Sequence, residues 1–352
     1  MTSRERILTT LQGGVPDRIG RCDTVWSETL ARWREEGLGA DEEVGRRFGF
    51  DLTFVGGPDL SFRFPTEVVE ETEEWTIQWD ANGVLRKDFT LESGHTPHWM
   101  DHRIKTRADW DQHRERLVWS DDRIRPHARQ AYEEARERGL FVCFESVEAY
   151  EAAWPVFGQV GIFTHMMDDP ALVAEVFEVY TDLIIAGATR MLELGIDFDG
   201  TWAYGDLGYR NATLFSPKVY DDLLFPQHKR MCEFFNARGK PVILHSCGRI
   251  QELIPRFIEA GFSAIQPLEA KAGQDVRELK GEYGKDISFI GNIDVRKMSA
   301  TREELRDELL SKLEVVMQDG GYVYHSDHSV PPTVSWGNYC YLMELLDEHG
   351  SY

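Results

Sequence analysis

The fold is indicated most clearly by residues 241–267, which read PVILHSCGRIQELIPRFIEAGFSAIQP. The apolar run from Pro241 to His245 predicts a strand, residues 249–260 predict a helix, and Ser263 to Pro267 predict a second strand. A helix between two strands is the connection that joins neighbouring strands of a parallel sheet. This stretch therefore predicts an α/β fold.

The same alternation continues on both sides of this stretch. Earlier and later strands together bring the number to eight, and eight parallel strands alternating with helices predict a closed (β/α)₈ barrel of the TIM type. The other strands are predicted at 19–26, 51–55, 140–145, 197–203, 287–291 and 322–325, and the other helices of the repeat at 121–138, 171–193, 217–237, 274–283, 301–318 and 336–348. An open doubly wound sheet is the alternative, but no Gly-x-Gly-x-x-Gly follows the first strand.

Residues 61–102 interrupt the alternation. The stretch 74–80 alternates with period two, and Asn82-Gly83 is a hairpin turn before the run from Val84 to Phe89. We therefore predict an antiparallel insertion within an N-terminal elaboration. The whole chain, 1–352, is predicted to be one barrel domain whose regular repeat covers 121–350.

Charge and composition exclude several classes of partner. The formal net charge is −22, which argues against binding to nucleic acid or to an anionic membrane surface. The five cysteines are widely spaced and odd in number, so they form no disulfide framework. No apolar run approaches the length of a membrane span, and residues 1–6 lack the apolar core of a signal peptide. These features predict a cytoplasmic protein.

Polar side chains follow the later strands at the points where those strands end. The carboxyl ends of barrel strands carry the functional groups of TIM-barrel enzymes, so this pattern predicts a catalytic pocket. A non-catalytic binding barrel, the alternative from another class, would have apolar strand ends. The residues are Glu145, Tyr204, Asp206, His245, Cys247, Gln266, Glu269, Asn292, Asp294, His325, Asp327 and His328.

His245 and Cys247 form a His-x-Cys pair at the end of an apolar strand. With period-two alternation, both side chains leave the strand on one side. Imidazole and thiolate together suit Zn²⁺, and a third ligand from another strand would leave the open position typical of catalytic zinc. The other cysteines, Cys22, Cys143, Cys232 and Cys340, are predicted to be small buried side chains.

Five motifs resemble the uroporphyrinogen decarboxylase superfamily, a group of (β/α)₈ barrels, over about residues 140–350. They are Asp206-Leu207-Gly208 through Ser216-Pro217, His245-Ser246-Cys247-Gly248, Gln266-Pro267-Leu268-Glu269, Gly291-Asn292-Ile293-Asp294 and Gly320-Gly321-Tyr322. True decarboxylases carry an Arg-Gln-Ala-Gly-Arg-Tyr-like segment that binds the carboxylates of the substrate. The corresponding residues 19–26 read IGRCDTVW and lack it. The superfamily has a second main branch, the cobalamin-dependent methyltransferases, and the chain is more similar to that branch.

Resemblance to that branch implies a zinc site. Its members use a His-x-Cys pair and a later Cys as ligands; His245 and Cys247 match the pair, but the later Cys is absent. Residues 324–332 read YHSDHSVPP, and His328 falls at the position of that Cys, with His325 and Asp327 as alternatives.

The resemblance also implies a reaction. A methyl group would move between a small molecule and a corrinoid (cobalamin) protein, with Zn²⁺ as cofactor. Glu145, Asp206 and Glu269 are predicted to transfer protons. Tyr204, Gln266, Asn292 and Asp294 are predicted to bind substrate. The alternative within the superfamily is a metal-free decarboxylase in which Asp206 and His245 orient a carboxylated substrate.

Overall fold

The strands of the chain fall into two groups, one parallel and one antiparallel. A computed structural model describes residues 1–89 and 97–352. In these residues the strands are Gly20–Arg21 (β1), Leu52–Gly56 (β2), Glu67–Glu71 (β3), Trp75–Trp79 (β4), Val84–Phe89 (β5), His98–His102 (β6), Phe141–Val147 (β7), Gly200–Tyr204 (β8), Val242–Ser246 (β9), Ala264–Pro267 (β10), Ser288–Ile290 (β11) and Tyr322–Tyr324 (β12).

Eight of these strands form one curled parallel sheet. Their order is β1, β12, β11, β10, β9, β8, β7 and β2, so neighbours from β7 onward are also consecutive in the parallel repeat. The two edges approach each other, because the backbone N–H of Asp51, just before β2, donates to the carbonyl of Arg21 in β1 at 2.7 Å. The fold is therefore α/β and TIM-barrel-like, as predicted.

Helices follow the strands of the parallel sheet. The described helices are Ser3–Leu11 (α1), Ser27–Glu35 (α2), Val44–Arg47 (α3), Arg107–His113 (α4), Ala128–Glu137 (α5), Ala149–Phe157 (α6), Gln159–Asp168 (α7), Pro170–Glu193 (α8), Pro217–Val219 (α9), Phe225–Asn236 (α10), Ile254–Ala260 (α11), Val276–Tyr283 (α12), Val295–Met298 (α13), Arg302–Val316 (α14) and Trp336–His349 (α15). No helix within 1–89 and 97–352 is long and apolar enough to cross a membrane.

Side chains of the parallel strands alternate between two hydrophobic clusters. In β7, Phe141 and Cys143 belong to a small cluster with residues of the other strands, whereas Val142 and Phe144 belong to the large cluster that includes the helices. This alternation follows from the period of two in a strand. The small cluster fills the inside of the curled sheet and forms a solid base beneath the carboxyl ends of the strands.

Strands β3 to β6 form a separate antiparallel sheet, paired in chain order. Within it, β4 and β5 pair around Asn82 and Gly83, where the sequence predicts a hairpin. The predicted insertion at 61–102 also includes residues 90–96, which lie outside the described residues.

Several predicted elements are longer than the observed ones, two of them most clearly. The strand predicted at 19–26 is confined to β1, although the Cys22 N–H still donates to the Tyr324 carbonyl at 3.0 Å. The helix predicted at 121–138 begins only at Ala128, because a short 3₁₀ turn at 121–123 and Pro126 precede it.

Asp51 holds the two edges of the parallel sheet together. Its carboxylate is fully buried and accepts hydrogen bonds from the Arg6 and Arg18 guanidinium groups, at 2.6 and 2.9 Å, and from the Arg21 backbone N–H at 2.8 Å. Removing one partner of such a buried pair leaves the other charge uncompensated.

We predict that Asp51→Ala lowers the free energy of unfolding by about 3–5 kcal/mol, because Arg18 and the Arg21 N–H lose their buried acceptor and Arg6 keeps only Asp17 as a carboxylate partner. Urea denaturation followed by circular dichroism measures this loss. Asp347→Ala is the matched control, because Asp347 pairs with Arg21 but its side chain is 72% exposed. A similar loss in both variants would contradict the assigned role of Asp51.

Candidate active site

A cavity of about 290 Å³ lies at the carboxyl ends of the parallel strands. It brings together side chains that lie in or just after five strands of the sheet, β1, β8, β9, β10 and β12, as the strand-end rule predicts. The predicted site residues that line it are Tyr204, Asp206, His245, Cys247, Gln266, His325 and His328.

The turn after β9 carries Cys247 into this cavity. Gly248 adopts a φ of +77°, which favours glycine, and a Cβ there would lie 2.4 Å from the backbone carbon of Gly208. The loops after β8 and β9 can therefore touch backbone to backbone. This contact holds Cys247 beside Asp206, whose Oδ1 accepts the Cys247 backbone N–H at 2.9 Å.

His245, Cys247 and Asp206 present three ligand atoms to one point. His245 Nε2 lies 3.5 Å from Cys247 Sγ and 3.5 Å from Asp206 Oδ1. Metal bonds of about 2.0–2.3 Å in a tetrahedral zinc site place neighbouring ligand atoms about 3.3–3.8 Å apart. The donor set therefore fits Zn²⁺ without rearrangement of these pairs.

Cys247 also belongs to a second group of donors. Cys247, Glu269 and His328 have ligand atoms within 4.8 Å of one another. Glu269 accepts the Gly248 backbone N–H at 3.0 Å and pairs with Lys271 at 3.1 Å. His328 Nδ1 lies 3.3 Å from the Ser329 carbonyl, which leaves Nε2 for another partner.

Gln266 determines which ring nitrogen of His245 is available. His245 Nδ1 hydrogen-bonds to Gln266 Oε1, so Nε2 is the nitrogen that faces Cys247. The Gln266 amide nitrogen lies 3.3 Å from His325 Nε2, and His325 Nδ1 donates to the Ser326 carbonyl at 2.6 Å. A carbonyl acceptor on the second nitrogen is the usual support for a metal-binding histidine.

This chain of hydrogen bonds engages two of the predicted site residues. Gln266, predicted to bind substrate, has its amide engaged by His245 and His325. His325, an alternative metal ligand, is buried, and burial lowers its pKa, so its ring is neutral. Both residues orient His245 in this structure.

Electrostatics around Cys247 favour a bound cation. Burial raises the pKa of the Cys247 thiol, and the carboxylates of Asp206 and Glu269 raise it further. Burial also opposes ionisation of Asp206, but its contacts with His245 and the Cys247 N–H prevail and lower its pKa. A divalent cation would offset this concentration of negative charge and deprotonate the thiol.

Asp327, the other alternative ligand, links two loops. Its carboxylate accepts the backbone N–H of Ala270 at 3.0 Å and of Val295 at 2.9 Å. Burial raises its pKa to about 6. Both oxygens of Asp327 therefore accept backbone N–H groups of the loops that follow β10 and β11. Of the three candidates for the third ligand, His325, Asp327 and His328, only His328 keeps a ring nitrogen without a hydrogen bond among the described residues.

Asn292 and Asp294, which the sequence predicts to bind substrate, are not among the described residues that line the cavity. Asn292 is fully buried; its amide donates to the carbonyls of Leu268 and Gln274 and accepts the Val276 N–H at 2.9 Å. Asp294 caps α13 and pairs with Arg296. Both side chains stabilise loops.

Glu145 lines a neighbouring cavity of about 510 Å³. Tyr204 borders both cavities and donates its hydroxyl to Glu145 at 3.1 Å. Glu151 in α6 also lines the neighbouring cavity; burial, with Asp206 nearby, raises its pKa to about 7. Sequence reasoning missed Glu151 because it lies within a helix and not at a strand end.

Comparison with known proteins decides the family. The family model described as Uroporphyrinogen decarboxylase (URO-D) matches residues 157–349, more than half of the chain. The chain belongs to the uroporphyrinogen decarboxylase family. This confirms the predicted resemblance and indicates an enzyme.

Relatives and structures extend this result. The chain is 28% identical over 176 residues to a uroporphyrinogen decarboxylase of Hydrogenovibrio crunogenus (48% of this chain, 46% of the relative), and 26% identical over 188 residues to that of Methylococcus capsulatus (52% and 50%). It thus spans about half the length of these relatives. A methyltransferase from Methanosarcina mazei shares the fold, with a TM-score of 0.66, 14% identity and 99% coverage of both chains.

We predict that Asn292→Ala lowers the free energy of unfolding by about 1–3 kcal/mol, because buried backbone groups lose their partners. The φ of Asn292, +72°, adds strain to an alanine there in the same direction. Denaturant unfolding measures the change, with Asn236→Ala as control, because Asn236 makes one such bond at an exposed position. An Asn292 variant as stable as the parent would contradict this structural role.

Proposed function

We propose that this chain is a zinc-dependent methyltransferase or demethylase. It would move a methyl group between a small-molecule substrate and a corrinoid (cobalamin) held by a partner protein. The observation that supports this best is the His245–Cys247 pair, whose donor atoms lie 3.5 Å apart and whose imidazole is oriented by Gln266. Bound zinc would supply Lewis acidity toward a heteroatom of the substrate.

The proposed ligands are His245 Nε2, Cys247 Sγ and His328. The structure places them in two donor groups that share Cys247, so His328 would have to move toward His245 for all three to bind one ion. Asp206 and Glu269 are the alternative third ligands, since each lies as close to Cys247 while also accepting a backbone N–H of the turn after β9. In the described part of the chain, His328 Nε2 makes no hydrogen bond. The His328 ring packs edge-on against Trp26, with 5.9 Å between the ring centroids. Three protein ligands leave the fourth position for substrate.

Nearby carboxylates have the proposed proton-transfer roles. Asp206 lines the cavity beside His245, and Glu269 borders Cys247 from the other side. A heteroatom that receives a methyl group must lose its proton, which an ionised carboxylate within hydrogen-bond reach can accept. Glu145 acts, in this proposal, through the Tyr204 hydroxyl at 3.1 Å.

Cavity size supports a separate corrinoid protein. Small-molecule sites usually measure about 300–1,000 Å³, so a cavity of about 290 Å³ suits a small substrate but not a corrinoid. The corrinoid would approach the mouth of the cavity while carried by its own protein. We propose no nucleic-acid or membrane partner, in keeping with the net charge of −22.

Metal-free decarboxylation is the alternative, and the names of the matched relatives favour it. A substrate with many carboxylates needs several convergent cations. Among the described residues that line the cavity around His245, none is Lys or Arg. The absence of cations there favours methyl transfer, whereas Arg210, Lys271 and Arg296 in the adjoining cavity at Cys247 are cations that a carboxylated substrate could use.

We expect purified protein to carry about one zinc per chain, and Cys247→Ser to lose most of it, because a serine hydroxyl is a much poorer zinc ligand than a thiolate. Plasma mass spectrometry measures the metal content. Cys232→Ser is the control, since Cys232 is buried in the hydrophobic core away from the cavity. Zinc-free protein that catalyses the reaction would refute the proposed function.

Zinc affinities should separate ligands from the residues that orient them. His328→Ala should lose the most affinity, whereas Gln266→Leu should cost about 10–100-fold, because it frees the His245 ring without removing a donor. Competition with a chelating dye measures both, and His127→Ala, at an exposed position, is the control. If His328→Ala binds zinc like the parent, Asp206 or Glu269 is the third ligand instead.

A further inference from the structure

A second cavity, of about 510 Å³, lies beside the cavity that contains His245 and Cys247, and Tyr204 borders both. Glu145 lines the second cavity, so we call it the Glu145 cavity. Glu145 lies two residues after Cys143, whose side chain belongs to the small cluster inside the curled sheet, so both side chains point inward. The two cavities therefore share the mouth of the sheet, and a substrate at Cys247 can extend past Tyr204 into the Glu145 cavity.

Two carboxyl groups in the lining of the Glu145 cavity have no cationic partner. Glu145 accepts the Tyr204 hydroxyl at 3.1 Å, and Glu151 accepts the Asp206 backbone N–H at 3.2 Å and lies close to the Trp154 indole. These donors are neutral, and neither carboxyl group forms an ion pair within the described part of the chain. Burial and the charge of Asp206 raise the pKa of Glu151 to about 7, as expected for a carboxyl group that lacks a cation.

One guanidinium group in the same lining has no acidic partner. Arg125 Nε donates to the Gly57 carbonyl at 3.2 Å, which holds the side chain against the backbone just after β2. The other acidic residue of the lining, Asp59, already pairs with Arg63 at 3.1 Å. Among the described lining residues, the charges without a partner are therefore the Arg125 cation and the carboxylates of Glu145 and Glu151.

Charges of both signs at the wall of one cavity favour a ligand that carries both signs, because charge-assisted hydrogen bonds offset the partial loss of water. We propose that the Glu145 cavity binds a small α-amino acid as its zwitterion, with the ammonium group on Glu145 and Glu151 and the carboxylate on Arg125. An ammonium group has three N–H donors, enough for both carboxylates. The volume of about 510 Å³ lies within the usual range of small-molecule sites, about 300–1,000 Å³.

This inference rests on the proposed function only for the direction of the amino-acid side chain, whose heteroatom would face His245 and Cys247. The same charges disfavour two other ligand classes. A substrate with several carboxylates would meet like charge at Glu145 and Glu151, and a simple amine would leave Arg125 without a partner.

L-Norvaline, butylamine and pentanoate are matched probes, because butylamine lacks the carboxylate of norvaline and pentanoate lacks its ammonium group. Isothermal titration calorimetry of the full chain measures the three affinities. We expect norvaline to bind at least about ten-fold more tightly than either of the others, the value of one charge-assisted hydrogen bond. Equal affinities for the three probes, or no binding of norvaline, would overturn the inference.

Single substitutions assign each charge of the ligand to its partner. Glu151→Gln and Glu145→Gln keep the shape and an acceptor oxygen, so each should weaken norvaline and butylamine about ten-fold and leave pentanoate unchanged. Arg125→Met should weaken norvaline and pentanoate but not butylamine. Glu137→Gln, at an exposed position in α5, is the control. The inference fails if both glutamine variants retain the preference of the parent for norvaline over pentanoate.

The titrations are made on zinc-loaded and on chelator-treated protein, which separates the two proposals. Norvaline has no heteroatom in its side chain, so its binding does not require zinc. Norvaline selectivity in protein that never binds zinc supports the inference about the Glu145 cavity and removes the proposed function. Zinc-binding protein that does not distinguish the three probes removes this inference and leaves the zinc site.

Discussion

The chemistry of the site depends on the register between β9 and β10, which pairs His245 with Gln266. In this register the Gln266 carbonyl accepts the Nδ1–H of His245, and Nε2 is directed to Cys247. A shift of one residue would move Gln266 to the opposite face of β10 and release the imidazole. The parallel pairing therefore determines, through one hydrogen bond, which nitrogen is available as a metal ligand.

The second constraint is charge. Cys247, Asp206 and Glu269 would together carry three negative charges in a partly buried cluster, and burial makes the thiolate unfavourable. Backbone N–H groups of the turn after β9 stabilise the two carboxylates, but they do not neutralise the sulfur. A divalent cation would do so, which is why the donor set and its environment both favour a metal site.

Much of the architecture follows from the sequence, because alternating strands and helices have distinct hydrophobic periods. The same reasoning predicts where the strands end, and thus that Asp206, His245, Cys247 and His328 line one cavity. Periodicity does not predict α6 and α7, which lie between β7 and α8, although one helix is sufficient to connect two parallel strands. Periodicity also gives no information about Glu151, which reaches the site from within α6.

The roles of Gln266, His325 and Asn292 could not be predicted for a related reason. Periodicity gives the face on which a side chain lies, but not its hydrogen-bond partner on another strand or loop. Gln266 and His325 become a support for His245 only through the register of the sheet. Asn292 binds backbone groups of the loop after β10, whose path no local pattern describes.

X-ray absorption at the zinc edge tests the central claim, that His245 and Cys247 bind a metal in this cavity. The account predicts one sulfur at about 2.3 Å from zinc and nitrogen or oxygen ligands at about 2.0–2.2 Å, with an imidazole scattering pattern. It also predicts that Cys247→Ser removes the sulfur contribution. Zinc bound only by oxygen and nitrogen in the unaltered chain would contradict the account.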